Sequence, residues 1–327
     1  MDDKVLNAKG SISLKRTYKE FKTEITMLII FLLFFIVMKF ASPYFCTTKN
    51  LLNVMTQIST NAILAIGMTL VIVTGGIDLS VGSVLGLSAM VAGMLLQSTG
   101  NILIGVLGAL AVGAICGFIN GYLIGYMEMP AFIVTLGLMQ ICSSIDYVIS
   151  DGNTASKFPE VFSLLGKGKV GGIPIYVIAI IILFAIFIFV MAKTKFGRYL
   201  YAIGSNSEAA RLSGINIKFN TMMAYVCCAV LCAIAGLVMT SRMMAVDPTY
   251  GKSAEMDAIA AAVIGGTSMS GGKGTLWGTI IGVLLVGFLR NALNLLGVNP
   301  FWQGSAVGAV IIVAVLAEKI SNKKNKN

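Results

Sequence analysis

Residues 173–192 read IPIYVIAIIILFAIFIFVMA, 20 positions without a charged side chain. Wound as a helix at about 1.5 Å per residue, such a run matches a hydrocarbon core of about 30 Å. Directly after it the character changes: the segment 193–218 holds Lys193, Lys195, Arg198, Arg211 and Lys218. This alternation of a lipid-compatible block with a short polar stretch repeats along the chain. It decides the fold class: all-α, a polytopic helical membrane protein.

Composition agrees, since 57% of the 327 residues are hydrophobic and only 12% are charged, more apolar surface than a soluble fold needs. Ten transmembrane segments are predicted, at 25–45, 55–75, 82–98, 101–126, 131–149, 173–192, 219–240, 255–270, 275–296 and 302–318. The segments at 82–98 and 255–270 are short and rich in Gly, Ser or Ala, which marks them as candidates for broken or re-entrant helices. Such backbone is stable at membrane depth only where protein or a water-filled cavity covers it. The transmembrane domain thus covers 25–318, between a basic leader (1–24) and a basic tail (319–327). The first apolar block follows a long basic leader and has no small-residue cleavage site, so it is expected to stay as the first span.

With the N-terminus in the cytoplasm, 16 basic residues fall on the cytoplasmic side and six on the other. The positive-inside rule therefore places both termini in the cytoplasm. The net charge of +10 sits beside the spans, which fits a lipid bilayer with anionic headgroups and not nucleic acid. Six cysteines lie mostly within spans without CxxC spacing, so they read as small apolar residues.

The absence of histidine removes imidazole base catalysis and His-ligated metals. Gly266-Thr267-Ser268-Met269-Ser270-Gly271-Gly272-Lys273-Gly274-Thr275 imitates a phosphate loop, but Thr267 stands at the first glycine and Gly274 replaces the metal-binding hydroxyl. No cofactor is expected in this chain, and any ATP must be handled by another. Gly113, Gly117, Gly121 and Gly125 form one smooth stripe for close helix packing, and Gly278 and Gly282 begin a second.

Polar groups inside the spans are the candidate path residues. Asp78 and Ser80 follow a span and precede a helical run, so they either cap that helix and hold the bundle or line a translocation path. Asn61, Asn120, Gln140 and Asn291 can bond between helices or contact a polar solute. Asp146 and Arg290 are expected to reach the interface by snorkelling. With so few buried acids, an ion- or proton-coupled carrier is the weaker alternative. Gly117-Phe118-Ile119-Asn120 resembles Gly287-Phe288-Leu289-Arg290-Asn291, pairing the fourth and ninth spans as an inverted repeat. A competing match pairs 75–82 with 265–272, on the second and eighth spans.

In the polar island, Ser205 or Ser207 is expected to start a helix of about two turns with Glu208 in its first turn, and Gly214 to end it. Glu208-Ala209-Ala210-x-x-x-Gly214 resembles the EAAxxxG loop of ATP-binding-cassette importer permeases. Gly197-Arg198-Tyr199-Leu200-Tyr201-Ala202-Ile203-Gly204 resembles the ribose-type members in particular. Thr74 to Ser83, Asp257 to Ala261, Gly265 to Ser268 and Asn294 to Val298 extend the resemblance over about residues 50–318.

The resemblance implies a permease in a bacterial plasma (inner) membrane, paired with a second permease subunit that in this family is often a copy of itself. It implies cytoplasmic ATPase subunits carrying ATP and Mg, and an extracytoplasmic sugar-binding protein. Arg198, Glu208, Ala209, Ala210, Arg211 and Gly214 would form the ATPase-coupling contact. One departure concerns Ser253-Ala254-Glu255-Met256-Asp257, where the ribose-type pattern carries a tyrosine and a leucine. Arg242, Pro248, Tyr250, Glu255 and Asp257 are the candidates for an outer gate or binding-protein contact. A monosaccharide, with ribose favoured, is the implied solute.

Overall fold

The computed structural model describes residues 22–299 and 301–324. Residues 1–21 of the leader and 325–327 of the tail lie outside them, so the lysines placed there by the sequence are not described further.

All ten predicted segments contain a helix. They are α1 (Lys22–Ala41), α2 (Thr48–Val73), α3 (Val81–Thr99), α4 (Ile102–Gly125), α5 (Ala131–Ser150), α7 (Ile175–Lys193), α10 (Ile217–Met243), α11 (Ala254–Ile264), α12 (Leu276–Leu295) and α13 (Phe301–Lys324). Three short helices lie between spans: α6 (Ser163–Lys167), α8 (Lys195–Ser205) and α9 (Ser207–Leu212). Two-residue strands form two antiparallel pairs, β1 (Ala155–Ser156) with β4 (Ala245–Val246) and β2 (Lys169–Val170) with β3 (Ile173–Pro174).

Among the described residues seven helices, α2, α3, α4, α5, α7, α10 and α12, are long and apolar enough to cross a membrane. Shorter apolar helical stretches lie at Ile25–Ala41 and Phe301–Leu316. The two doubtful segments separate cleanly. The one at 82–98 is an unbroken helix of 19 residues, so its glycines do not interrupt it. The one at 255–270 is not a full span: α11 has 11 residues, a rise of about 16 Å, and it stops at Gly265 before a non-helical stretch that runs to Thr275.

The core sits around α2 and α10, whose inner residues Ile63, Leu64, Met68, Ile72, Tyr225 and Cys228 are fully buried. The glycine stripe of α4 faces α10: a Cβ on Gly113 would meet the Ala229 carbonyl oxygen at 2.6 Å, and one on Gly121 would meet that of Met222 at the same distance. Backbone-to-backbone approach of this kind needs glycine, which is why the stripe recurs every four residues. On the other flank Phe31, Phe35, Phe45 and Phe288 stack edge-to-face at 5.1–5.7 Å and fasten α1 to α12. The helices at the periphery turn apolar side chains outward, as Ile181, Phe189, Ile115 and Phe132 do, the surface expected of lipid-facing walls.

Candidate functional site

The polar island folds as α8 and α9, joined at one residue. Thr194 caps α8 by accepting from the Gly197 amide at 3.3 Å. The cap of α9 is Asn206, not Ser205 or Ser207: its backbone is extended (φ −161, ψ 102) and its Oδ1 accepts the Ala209 amide at 2.9 Å. Ser205 ends α8 and Ser207 begins α9, so both are helical and neither has the open backbone a cap requires. The helix has six residues, fewer than two turns. Gly214 takes the left-handed conformation (φ +79), and the Ile215 amide returns to the Ala210 carbonyl at 3.1 Å, closing the end as a glycine C-cap does.

Ala210 is buried beneath the helix, while Leu212, Glu208 and Arg211 project outward. Arg211 donates to both carboxylate oxygens of Glu208, at 3.0 and 2.5 Å, and this hydrogen bonding holds the Glu208 carboxyl below its ordinary range. Arg198 reaches back to the Lys193 carbonyl at 3.2 Å. The exposed face is thus a small helix end with a paired charge and an apolar tip.

Its base is locked into the bundle. The Gly272 amide donates to the Val73 carbonyl at 2.9 Å, tying the loop after α11 to the end of α2. A Cβ on Gly204, in the last turn of α8, would lie 1.9 Å from that same Val73 oxygen. Tyr201 donates from its hydroxyl to the Gly274 carbonyl at 2.8 Å. Three separate elements, α2, α8 and the α11–α12 connection, therefore meet backbone against backbone at the end of α8, next to the Asn206 cap of α9.

Farther along the bundle, the chain between α10 and α11 runs beside α3 and leaves two polar cavities that share Gly251, Lys252 and Ser253 as a common wall. The first, about 340 Å³, includes Gln140, Ser143, Asp146, Pro248, Tyr250 and Glu255 in its lining. The second, about 260 Å³, includes Thr60, Asn61, Arg242, Asp257 and Arg290. Asp257 accepts from Asn61 at 2.9 Å and forms an ion pair with Arg290 at 2.6 Å, joining α11 to α2 and α12. Arg242 donates to the Thr56 carbonyl and, at 3.2 Å, to the Ser59 hydroxyl. The wall itself has unusual backbone, with Gly251 at φ +78 and Ser253 at φ +65. A Cβ on Gly82 would lie 2.2 Å from the Gly251 carbonyl oxygen, so the wall presses directly on α3.

The predicted path residues divide. Asn61 and Gln140 line the cavities, as do all five outer-gate candidates, Arg242, Pro248, Tyr250, Glu255 and Asp257. Asp78, Ser80 and Asn120 do not. They form a buried knot in which Asp78 accepts from the Ser80 amide (2.9 Å) and hydroxyl (2.6 Å), and Asn120 donates to Ser80 at 2.9 Å. Asn291 exchanges two side-chain hydrogen bonds with Asn50, at 2.9 and 2.8 Å.

The snorkelling expected of Arg290 and Asp146 does not occur. Arg290 turns inward because Asp257 offers it a partner, and Asp146 is only 2% exposed. Asp146, Thr60, Lys252 and Ser253 were not among the predicted site residues. For Asp146 a signal existed: Gln140, Ser143 and Asp146 recur every three residues and so share one helix face.

Comparison with known proteins places these features in a wider setting. A family model described as branched-chain amino acid transport system / permease component matches residues 50–315. The chain is 41% identical over 310 residues to the ribose import permease protein RbsC of Escherichia coli (strain K12), covering 94% of this chain and 96% of that protein. It is 45% identical over 287 residues to the ribose import permease protein RbsC of Bacillus subtilis (strain 168), covering 87% and 89%. It is 38% identical over 297 residues to the D-allose transport system permease protein AlsC of E. coli (strain K12), covering 90% and 91%. No solved structure matches.

Proposed function

The chain belongs to the family of branched-chain amino acid transport system permease components, and from that premise we propose that it carries a monosaccharide, ribose in preference, along a path that includes the two polar cavities. It is a multi-pass membrane permease of the ATP-binding-cassette sugar importers and a non-catalytic subunit. The preference for ribose rests on the ribose import permeases among its relatives. The relatives named for allose and galactose keep hexoses in the class beside this pentose.

The observation that carries the coupling mechanism is the junction next to α9. An ATPase bound at Glu208 to Gly214 pushes on a six-residue helix too short to flex independently. Because Gly204, Val73 and Gly272 meet there without intervening side chains, displacement of α8 and α9 passes to α2 and to the loop that ends the half-length α11. Asp257, near the other end of α11, stands in the cavity wall. Closure driven by ATP and Mg in the partner subunit is thereby transmitted to the place where a solute would sit. Coupling of this kind needs an element with two arrangements, and on this proposal the half-length α11, set between two non-helical stretches, is that element.

On this proposal α8 and α9 face the cytoplasm with both termini, in a bacterial inner membrane. A second copy of the chain and a sugar-binding protein on the opposite face complete the importer. The ten segments, with α11 as the broken eighth, form an inverted repeat pairing α4 with α12.

Purification from native membrane tests the assignment: an ATPase should co-purify, and sugar uptake should stop on ATP depletion. Uptake that persists without ATP would return the chain to the carrier class. Glu208→Lys or Gly214→Pro should leave the chain inserted and the ATPase active but reduce uptake at least tenfold. Unchanged uptake with either variant removes the loop from the mechanism.

A further inference from the structure

The two cavities contain buried polar atoms that the protein leaves unpaired. Asp146 Oδ1 has no hydrogen-bond partner among the described residues, although Asp146 is 2% exposed and lines the larger cavity. Thr60 Oγ1 is likewise unpartnered, in a residue 8% exposed that lines the smaller one. An orphaned polar atom is costly to bury, and Ser88, Asn120 and Thr267 hold one as well, but those of Asp146, Thr60 and Arg290 belong to residues that line the two cavities, where a solute can complete them.

The chemistry of that partner can be read from the walls. The larger cavity is lined by two carboxylates (Asp146, Glu255) and one cation (Lys252), and the smaller by one carboxylate (Asp257) and three cations (Arg242, Lys252, Arg290), so the two linings have opposite formal charge. An ion of either sign that passes between them is attracted by one lining and repelled by the other, whereas a neutral solute meets neither penalty. A carboxylate oxygen accepts hydrogen bonds only, and a threonine hydroxyl both donates and accepts. Neutral hydroxyl groups satisfy both at once. Metal ions are a poorer match, because no cluster of three or more His, Cys, Asp or Glu suited to holding one is present among the described residues.

We propose that Asp146 and Thr60, on opposite sides of the Gly251–Ser253 wall, are the residues that recognise a neutral polyhydroxylated solute. Asp146 accepts a hydroxyl proton in a hydrogen bond in the larger cavity, and Thr60 engages a second hydroxyl in the smaller cavity. The solute passes from one to the other when the wall moves. This assignment rests on the importer reading and adds which side chains select the solute.

The experiment uses the assembled importer in proteoliposomes, with D-ribose as the probe. Asp146→Leu should lower kcat/KM for uptake at least tenfold, while ATPase activity stimulated by the binding protein is retained. Asp146→Asn, which keeps an acceptor, should lose less. Thr60→Val should lower uptake about threefold and Thr60→Ser should restore it. Asp151→Asn, at an exposed helix end, should change nothing.

A second measurement guards against a folding defect. In a Ser143→Cys background, D-ribose should slow maleimide labelling of the cavity, and adding Asp146→Leu should abolish that protection. Uptake by Asp146→Leu above half of wild type, or lost uptake with protection intact, overturns the assignment. Failure of the wild-type complex to take up D-ribose, D-allose or D-galactose overturns the importer reading itself, and this assignment with it.

Discussion

The two ends of α2 are built on opposite plans. Around Val73 the packing is closed: Asp78, Ser80 and Asn120 hydrogen-bond to one another, leaving Asn120 Oδ1 unpaired among the described residues with neither cavity beside it, and Gly204 and Gly272 bring three backbones into direct contact. Toward Thr56 and Asn61 the chain is open, with two cavities, a wall in left-handed backbone, and acceptors left without partners. Both ends hold a buried carboxylate, so burial alone does not distinguish structure from function. What distinguishes them is whether an unpaired polar atom belongs to a residue that lines a cavity, as at Asp146 and Thr60, or lies in closed packing, as at Asn120. A machine that moves a solute by pushing from one side needs such a pair, a stiff end to receive force and a loose end to yield.

The sharpest way to break this comparison is to open the stiff end. Asp78→Ala leaves the Ser80 hydroxyl and amide short of an acceptor, at about 1–3 kcal/mol for each group left unpaired, while Asn120 keeps its bond to Ser80. Thermal unfolding of the solubilised protein should fall by several degrees, and yield should fall with it. A variant of unchanged stability that nonetheless loses uptake would move Asp78 from the framework to the path.

Gly204→Val has the next largest effect. Its Cβ would stand 1.9 Å from the Val73 carbonyl oxygen, and neither backbone can yield without parting α8 from α2. Uptake should drop about tenfold while ATP hydrolysis continues, because force from the α9 surface no longer reaches α11. Stability should fall less than in Asp78→Ala. If uptake and hydrolysis fall together, the junction belongs to assembly and not to transmission.

The division was partly legible in the sequence. Apolar runs near 20 residues located the seven helices long enough to cross a membrane and the two shorter apolar stretches at Ile25–Ala41 and Phe301–Leu316, since the hydrocarbon thickness dictates that length whatever the partners. The Gly and Ser content after 264 flagged the break in the eighth, but the same content at 82–98 flagged a helix that is continuous. Glycine tolerated by close packing and glycine that breaks a helix look alike until the neighbour is known. The cap at Asn206 escaped because three adjacent residues, Ser205, Asn206 and Ser207, can all serve, and only the backbone chooses. Arg290 and Asp146 were assigned outward for a similar reason. An intramembrane charge reveals its cost locally, while its partner, 33 residues away for Arg290, is a tertiary fact.

At the loose end, Asp257→Asn weakens a charged pair that joins α11 to α12 while leaving the Asn61 contact able to reform. This pair is partly shielded, so its loss should exceed that of a surface pair, at about 1–3 kcal/mol for a hydrogen bond to a charged group. The expected result is a modest fall in stability with a two- to fivefold fall in uptake, and a rise in basal ATPase as the wall relaxes. Arg290→Gln should behave alike, and the double variant should be no worse than either, because both remove one interaction. Additive losses would show that the two residues act on different steps.

Glu208 and Arg211 provide the smallest effect and a test of the contrast in charge pairs. Both are about two-thirds exposed, so water screens their attraction and the pair contributes little by itself. Arg211 lowers the Glu208 carboxyl below its ordinary value, so whatever the pair adds is complete above the ordinary carboxylate range. It fades only as pH falls through the lowered folded-state value. Between pH 7.5 and 6 the amide protection factors of α9 should therefore stay constant, and Arg211→Gln should change them only slightly. The same variant should weaken ATPase binding more than it weakens the helix, since the pair's outward position suits it to recognition. Loss of α9 protection already near pH 6 would mean that the carboxyl is raised, and that a buried environment forms around it only in the full complex.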